Sequence, residues 1–130
     1  MPAFDTNVLV RVLVGDDPTQ AKKAERAFVH HAKAPEGVFI SLVVLAEIAW
    51  VLSAAYAWDR ATIHDRLSRL VRTRGGVFED LELVEAALEG YRTGKADLPD
   101  YLIVGKARSV GAELLTFDKR LARESGVTLL

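Results

Sequence analysis

An α/β fold, a three-layer α/β/α sandwich around a central parallel sheet of about five short strands, follows from two features of this sequence. Short β-branched and aromatic segments alternate with longer segments whose apolar residues recur at helical spacing. Strands separated by helices pair in parallel through right-handed crossovers, which leaves a sheet covered on both faces. At 130 residues, with no repeat, low-complexity tract or linker, residues 1–130 are expected to form one domain large enough for a real core.

The elements follow in order. Ala3-Phe4 reads as a first short strand leading into Asp5-Thr6-Asn7, where Thr6 or Asn7 is placed to cap a helix beginning near Val8. Gly15-Asp-Asp-Pro is a turn, and Pro18 starts a helix with Ala21, Ala24, Ala27 and Phe28 on one side, broken at Ala34-Pro-Glu-Gly. Residues 38–40 form the second strand, and Ser41 opens a helix over 42–56 that is apolar almost all round, the mark of a central element.

Asp59 caps a helix with Ile63, Leu67 and Leu70 at i, i+4, i+7, ended by Gly75-Gly76. Val77-Phe78 is the third strand. Asp80 is placed to cap the next helix, with Leu81, Val84, Leu88 and Tyr91 on its face and Gly94 as its stop. Asp97 caps a fifth long helix carrying Pro99 in its first turn. A strand over 113–117, a short helix over 119–124 and a strand over 127–129 complete the sheet.

Composition excludes several chemistries. There is no cysteine, so disulfides, thiol catalysis and cysteine-ligated zinc are ruled out, and a reducing cytoplasm is the expected compartment. Seventeen Lys/Arg against eighteen Asp/Glu leave a net charge of −1, so contact with nucleic acid must come from local patches. The N-terminus lacks the basic-then-apolar pattern of a signal peptide. The long apolar stretch 38–57 has Glu47 near its middle and divides into a strand and a helix, so it reads as core and not as a membrane span.

Four carboxylates share one setting. Asp5, Glu47, Asp100 and Asp118 each follow or interrupt an apolar segment, and ligands of α/β domains gather at the carboxyl ends of parallel strands. Each acid also has a structural role open to it. Asp5, Asp97, Asp100 and Asp118 stand where helix caps and first-turn acids belong, and for Asp97 alone the cap is favoured. Glu47 is harder to assign to structure, because no Lys or Arg lies between Lys33 and Arg60 and its helix is apolar. Acids gathered at one site repel by about 3 kcal/mol per pair at about 5 Å and an effective dielectric of about 20, so they take up protons or bind a hard cation. An all-oxygen donor set selects Mg²⁺ or Mn²⁺, and such ions activate water and stabilise charge on a phosphate under in-line attack. The chain has neither a Gly-x-Ser-x-Gly elbow nor a glycine-rich phosphate loop.

Four segments in register resemble the PIN-domain family, and within it the VapC-type toxins of bacterial toxin–antitoxin pairs: Phe4-Asp-Thr-Asn-Val-Leu, Ser41-Leu-Val-Val-Leu-Ala-Glu47, Asp97-Leu-Pro-Asp-Tyr-Leu-Ile and Leu114-Leu-Thr-Phe-Asp118. The resemblance spans nearly the whole chain. It implies a five-stranded parallel sheet and a magnesium- or manganese-dependent ribonuclease site with Asp5, Glu47, Asp100 and Asp118 as metal-binding acids. Asp97 is an accessory ligand candidate, and Thr6, Asn7 and Thr116 resemble the polar residues that orient carboxylates or water. It further implies an RNA substrate, a homodimer and a small cognate antitoxin.

Tyr101 stands where the family often has a small residue, and core packing is its expected role. Among the basic residues, Arg66, Arg69, Arg72 and Arg74 read as a solvated face, whereas Lys119 and Arg120 adjoin the fourth acid and are candidates for RNA phosphates. Three other functions compete: a PIN nuclease of RNA processing without an antitoxin, a phosphoacceptor signalling domain, and a degenerate fold kept for partner binding. An acid inside a helix, as at Glu47, counts against the phosphoacceptor.

Overall fold

The computed structural model describes residues 1–130, which divide into two compact units, Met1–Leu81 and Glu82–Leu130. The first contains α1 (Thr6–Val14), α2 (Pro18–Ala32), β1 (Val38–Ile40), α3 (Leu42–Ala54), α4 (Arg60–Arg72) and β2 (Gly76–Phe78). The second contains α5 (Leu81–Thr93) from its second residue, α6 (Leu98–Ser109), β3 (Leu114–Thr116), a 3₁₀ turn at Leu121–Arg123 and β4 (Val127–Leu129).

All strand pairing is parallel, as expected from alternating strands and helices. In the first unit β1 pairs with β2 in the register Val38↔Gly76, Phe39↔Val77, Ile40↔Phe78, and Ala3 adds a single parallel bridge to Phe39. In the second, β3 pairs with β4 in the register Leu114↔Val127, Leu115↔Thr128, Thr116↔Leu129. The five extended segments expected are thus present, four as three-residue strands and the first as one bridging residue, with hydrogen bonding in two pairs.

The apolar faces read from the sequence are largely the buried ones, except that Leu81, placed on the face of α5, is exposed and Leu83 is buried in the helix instead. Leu9, Val38, Ile40, Leu45, Ile48, Leu52, Ile63 and Leu67 are fully enclosed in the first unit, and Val84 and Leu98 in the second. Several helix starts are also as expected: Asp17 accepts from the Gln20 N–H, Ser41 from Val44 and Asp59 from Thr62.

Three local expectations need correction. Asp5, not Thr6 or Asn7, caps α1, its carboxylate accepting from the Val8 N–H at 3.1 Å, and Thr6 is the first helical residue. Asp80 caps nothing through an extended backbone, since its φ is +53°, a left-handed turn conformation that Asp tolerates. Helix α3 is not enclosed all round: Val43 and Trp50 are each 67% exposed, and Glu47 lies between them on the same stripe at i, i+4, i+7. No helix is long and apolar enough to cross a membrane.

Candidate functional site

In the first unit the two acids occupy helix positions set by the chain around them. Asp5 follows the extended Phe4, whose N–H bonds the Phe39 carbonyl at 3.2 Å, so the strand bridge delivers Asp5 to the N-terminus of α1. There the capping bond holds one carboxylate oxygen, and the helix dipole favours the negative charge. Glu47 sits one turn into α3, and its Oε2 accepts from the Thr6 hydroxyl at 3.0 Å. Thr6 is the one buried polar side chain of the protein. Its hydrogen bond joins the start of α1 to Glu47. Glu47 itself is exposed, so water can solvate it despite the apolar helix that carries it.

Replacing Thr6 with Val tests this link without changing its shape. The variant is expected to lose about 1 kcal/mol, the net worth of one side-chain hydrogen bond. A double-mutant cycle with Glu47→Gln in urea denaturation should show the coupling, and additive losses would separate the two residues.

The second unit brings Asp97, Asp100 and Asp118 under one another's influence. Asp100 lies in the first turn of α6 and accepts from the Asp97 N–H at 3.1 Å, so both acids do the structural work of a helix start. Burial nonetheless pushes the Asp100 carboxyl above the usual range, and the charges of Asp97 and Asp118 push the same way, against the Asp97 N–H and Arg120. Asp118 goes in the other direction. It accepts from the N–H groups of Leu121 and Arg120, at 3.3 and 2.8 Å, and these bonds with the Arg120 guanidinium hold it below the ordinary carboxylate range. Thr116 Oγ1 accepts from the Asp118 N–H at 3.0 Å, which fixes the turn that presents Asp118 after β3.

Arg120 Nη2 lies 3.5 Å from Asp118 Oδ2, and its own pKa is raised chiefly by Asp118, with Asp97 and Asp100 adding to the effect. It is thus a counter-charge to the acids as well as a phosphate candidate. Lys119 is exposed beside it. Tyr101 is buried, and its ring fills the space left by Gly90 of α5 and Gly94 just past its end: a Cβ on Gly90 would come within 2.7 Å of it. That is the packing role expected. Of the other arginines, Arg69 pairs with Asp65, and Arg66 bonds the Leu13 carbonyl and lies over the Trp58 ring. They serve the scaffold.

As placed, the side chains form no group of three or more His, Cys, Asp or Glu in metal-holding geometry. The donor chemistry still fits a hard divalent ion: every candidate is a carboxylate, and Asp100 feels two neighbouring negative charges that a cation would relieve.

The sequence alone did not point to a groove between α1 and α2. It is shared by Asp5 and Asn7 at one end and by Arg11 and Gln20 at the other. Arg11 bonds Gln20 Oε1 at 2.7 Å and Asp16 at 3.0 Å, and Tyr56 donates to Asp16 at 2.9 Å. The Tyr56 hydroxyl, and after it Arg11, hold Asp16 below its ordinary range. A signal was available: Arg11 follows Asn7 by four residues, so both fall on one face of α1.

A helix-borne acid at Glu47, acids before α6 and after β3, and short parallel strands together define a PIN-type α/β protein. The chain belongs to the PIN domain family, whose profile matches residues 3–126. A VapC ribonuclease of Aquifex aeolicus (strain VF5) is 23% identical over 124 residues, 95% of this chain and 91% of that protein. Among solved structures the chain is similar to a toxin-antitoxin complex from Klebsiella pneumoniae, with 24% identity, 98% of this chain and 96% of that one covered, and a TM-score of 0.39. It is also similar to VapC20 of Mycobacterium tuberculosis, a Sarcin-Ricin loop cleaving toxin, with 20% identity, coverage of 95% and 94%, and a TM-score of 0.44.

Proposed function

We propose that this chain is a Mg²⁺- or Mn²⁺-dependent endoribonuclease that hydrolyses RNA phosphodiester bonds as the toxin of a toxin–antitoxin pair. In this reading it works in the cytoplasm as a homodimer, is restrained by a small antitoxin, and folds over 1–130 as one PIN-like domain. The observation that carries the reading is the PIN-family match over residues 3–126, with Asp97 and Asp100 at the start of α6 and Asp118 in the turn after β3. The relative named a VapC ribonuclease supports the substrate class.

Asp5, Glu47, Asp100 and Asp118 are assigned as the metal-binding acids and Asp97 as an accessory. When bound, the ion supplies an activated water and charge stabilisation at the phosphate. The protein's own residues do the rest. Thr6 donates a hydrogen bond to Glu47, the N–H groups of Arg120 and Leu121 favour the ionised form of Asp118, and Thr116 fixes the turn beneath it. Asn7, exposed beside Asp5, is assigned to orienting water. Lys119 and Arg120 are assigned to RNA phosphates, which position a strand without choosing its sequence. Family membership sets the phosphoacceptor function aside.

Calorimetry tests the metal and the single domain together. One cooperative endotherm is expected, moving up on adding Mn²⁺. A ligand at a hundred times its Kd adds about 2.7 kcal/mol, several degrees for a chain of this size. Two separate transitions would divide the domain, and no shift at millimolar metal would remove the metal site. Mapping cellular RNAs cut after expression of wild type beside Asp5→Asn tests the activity. Cuts confined to wild type support it, and equal patterns would defeat it.

A further inference from the structure

We infer that the groove between α1 and α2 is a nucleotide subsite in which the side-chain amide of Gln20 reads one base of the RNA strand beside the bond to be cut. The inference rests on the nuclease reading and adds to it a residue that sets sequence preference.

The groove encloses about 390 Å³, within the range of small-molecule clefts and too small for a helix. Val8, Ala24 and Ala27 line it with apolar surface against which a base can lie. Its rim is polar and carries positive charge, from Asn7, Gln20, Arg11 and Lys23. Apolar surface with hydrogen-bonding groups at the edge suits a nucleobase, and the cations suit the phosphates that accompany it. Asp5, assigned to the metal, also lines the groove, so a strand lying there has its phosphate beside that acid. From Asp5 to Arg11, the partner of Gln20, is six residues of α1, about 9 Å along the helix axis and on the scale of one nucleotide.

Gln20 is held in a defined orientation. Arg11 Nε can only donate, so the atom it meets at 2.7 Å must be the Gln20 carbonyl oxygen. That leaves the amide's two N–H donors to a ligand. Arg11 is fixed in turn by Asp16 at 3.0 Å and by the Tyr56 hydroxyl at 3.3 Å, which ties the end of α1 to the residues after α3. A donor held this way by a chain of polar contacts is pre-organised to discriminate base edges, which differ in where they accept. Lys23, one turn along α2 from Gln20, faces the same groove and provides charge without directional choice. Cations and amide donors beside Asp5 favour a nucleotide over a protein segment here.

The test is the cleavage profile on a pool of single-stranded RNAs with Mn²⁺, comparing wild type, Gln20→Ala and Gln20→Glu. Glutamate keeps an oxygen for Arg11 and so keeps the network and the fold, but it replaces the two donors with an acceptor. Wild type is expected to prefer one base at a position flanking the cut. Gln20→Glu should cut that preferred sequence about tenfold more slowly and shift the preference, with an unchanged melting temperature. Gln20→Ala should flatten the preference. A profile unchanged in both variants, or a uniform slowing of all sequences, would overturn the subsite and leave the nuclease standing. A wild type that cuts no RNA, in a preparation that melts cooperatively, would overturn both.

Discussion

Replacing Asp100 with Asn is expected to reduce RNA cleavage by at least about a hundredfold, the scale on which removing one charge-stabilising group acts. The same change should leave the protein as stable or more stable. The two outcomes follow from one feature. Burial, with the charges of Asp97 and Asp118 behind it, makes folded Asp100 hold its proton more tightly than the unfolded chain does. Stability present at low pH is then lost as pH rises through the folded value, and at neutral pH the anion is a cost. Asparagine mimics the protonated state and can still accept from the Asp97 N–H. The gain should therefore open on the neutral side and close below about pH 4, near the unfolded value. Asp100 is only partly buried, so solvent screening keeps the gain under about 1 kcal/mol. Melting temperature against pH, with and without Mn²⁺, reads all of this. A variant that cuts RNA normally would remove Asp100 from the site. One less stable at neutral pH would make the residue purely structural.

Much of this architecture was legible because it depends on local rules. Apolar spacing located the buried face of α4 and, apart from exposed Leu81, that of α5, and short polar residues before apolar runs located the starts of α3, α4 and α6. What was not legible depends on contacts between distant residues. Thr6 was placed as a possible cap and among the residues that orient carboxylates, but that its partner is Glu47, 41 positions away, was not legible. Glu79 drew no assignment from the sequence, yet its carboxylate accepts from the Leu42 N–H at 3.0 Å and helps close the start of α3. The apolar composition of α3 suggested enclosure on all sides, but composition does not reveal which stripe a helix leaves open. Val43, Glu47 and Trp50 fall on that stripe. Among the site candidates, the sequence could rank the acids by their surroundings. It could not show that Asp118 carries its own counter-charge in Arg120, because that depends on the tight turn after β3.

Gly75→Ala is expected to be the most damaging small substitution in the protein, costing about 3 kcal/mol or more. From sequence, Gly75 is only the end of α4. In the structure it sits at φ +92° against the end of α2, and a Cβ there would collide with the Ala32 carbonyl and come within 2.6 Å of the Ala32 Cβ. The Gly75 carbonyl also accepts from the Val38 N–H at 2.8 Å, the bond that begins β1. Neither contact can yield without moving backbone, and no rotamer relieves the clash. Left-handed strain alone costs an L-residue about 1–2 kcal/mol. Overpacking against backbone adds a further 1–3, roughly. Gly15→Ala separates the two contributions, because Gly15 has φ +69° but nothing within 4 Å of an added Cβ. It should lose only the conformational part, about 1 kcal/mol. Urea denaturation of both variants should show Gly75→Ala two to three times as costly, roughly, with a fall in melting temperature near 10 °C. Equal losses would mean that backbone conformation, and not the close approach of α2, is what requires glycine at position 75.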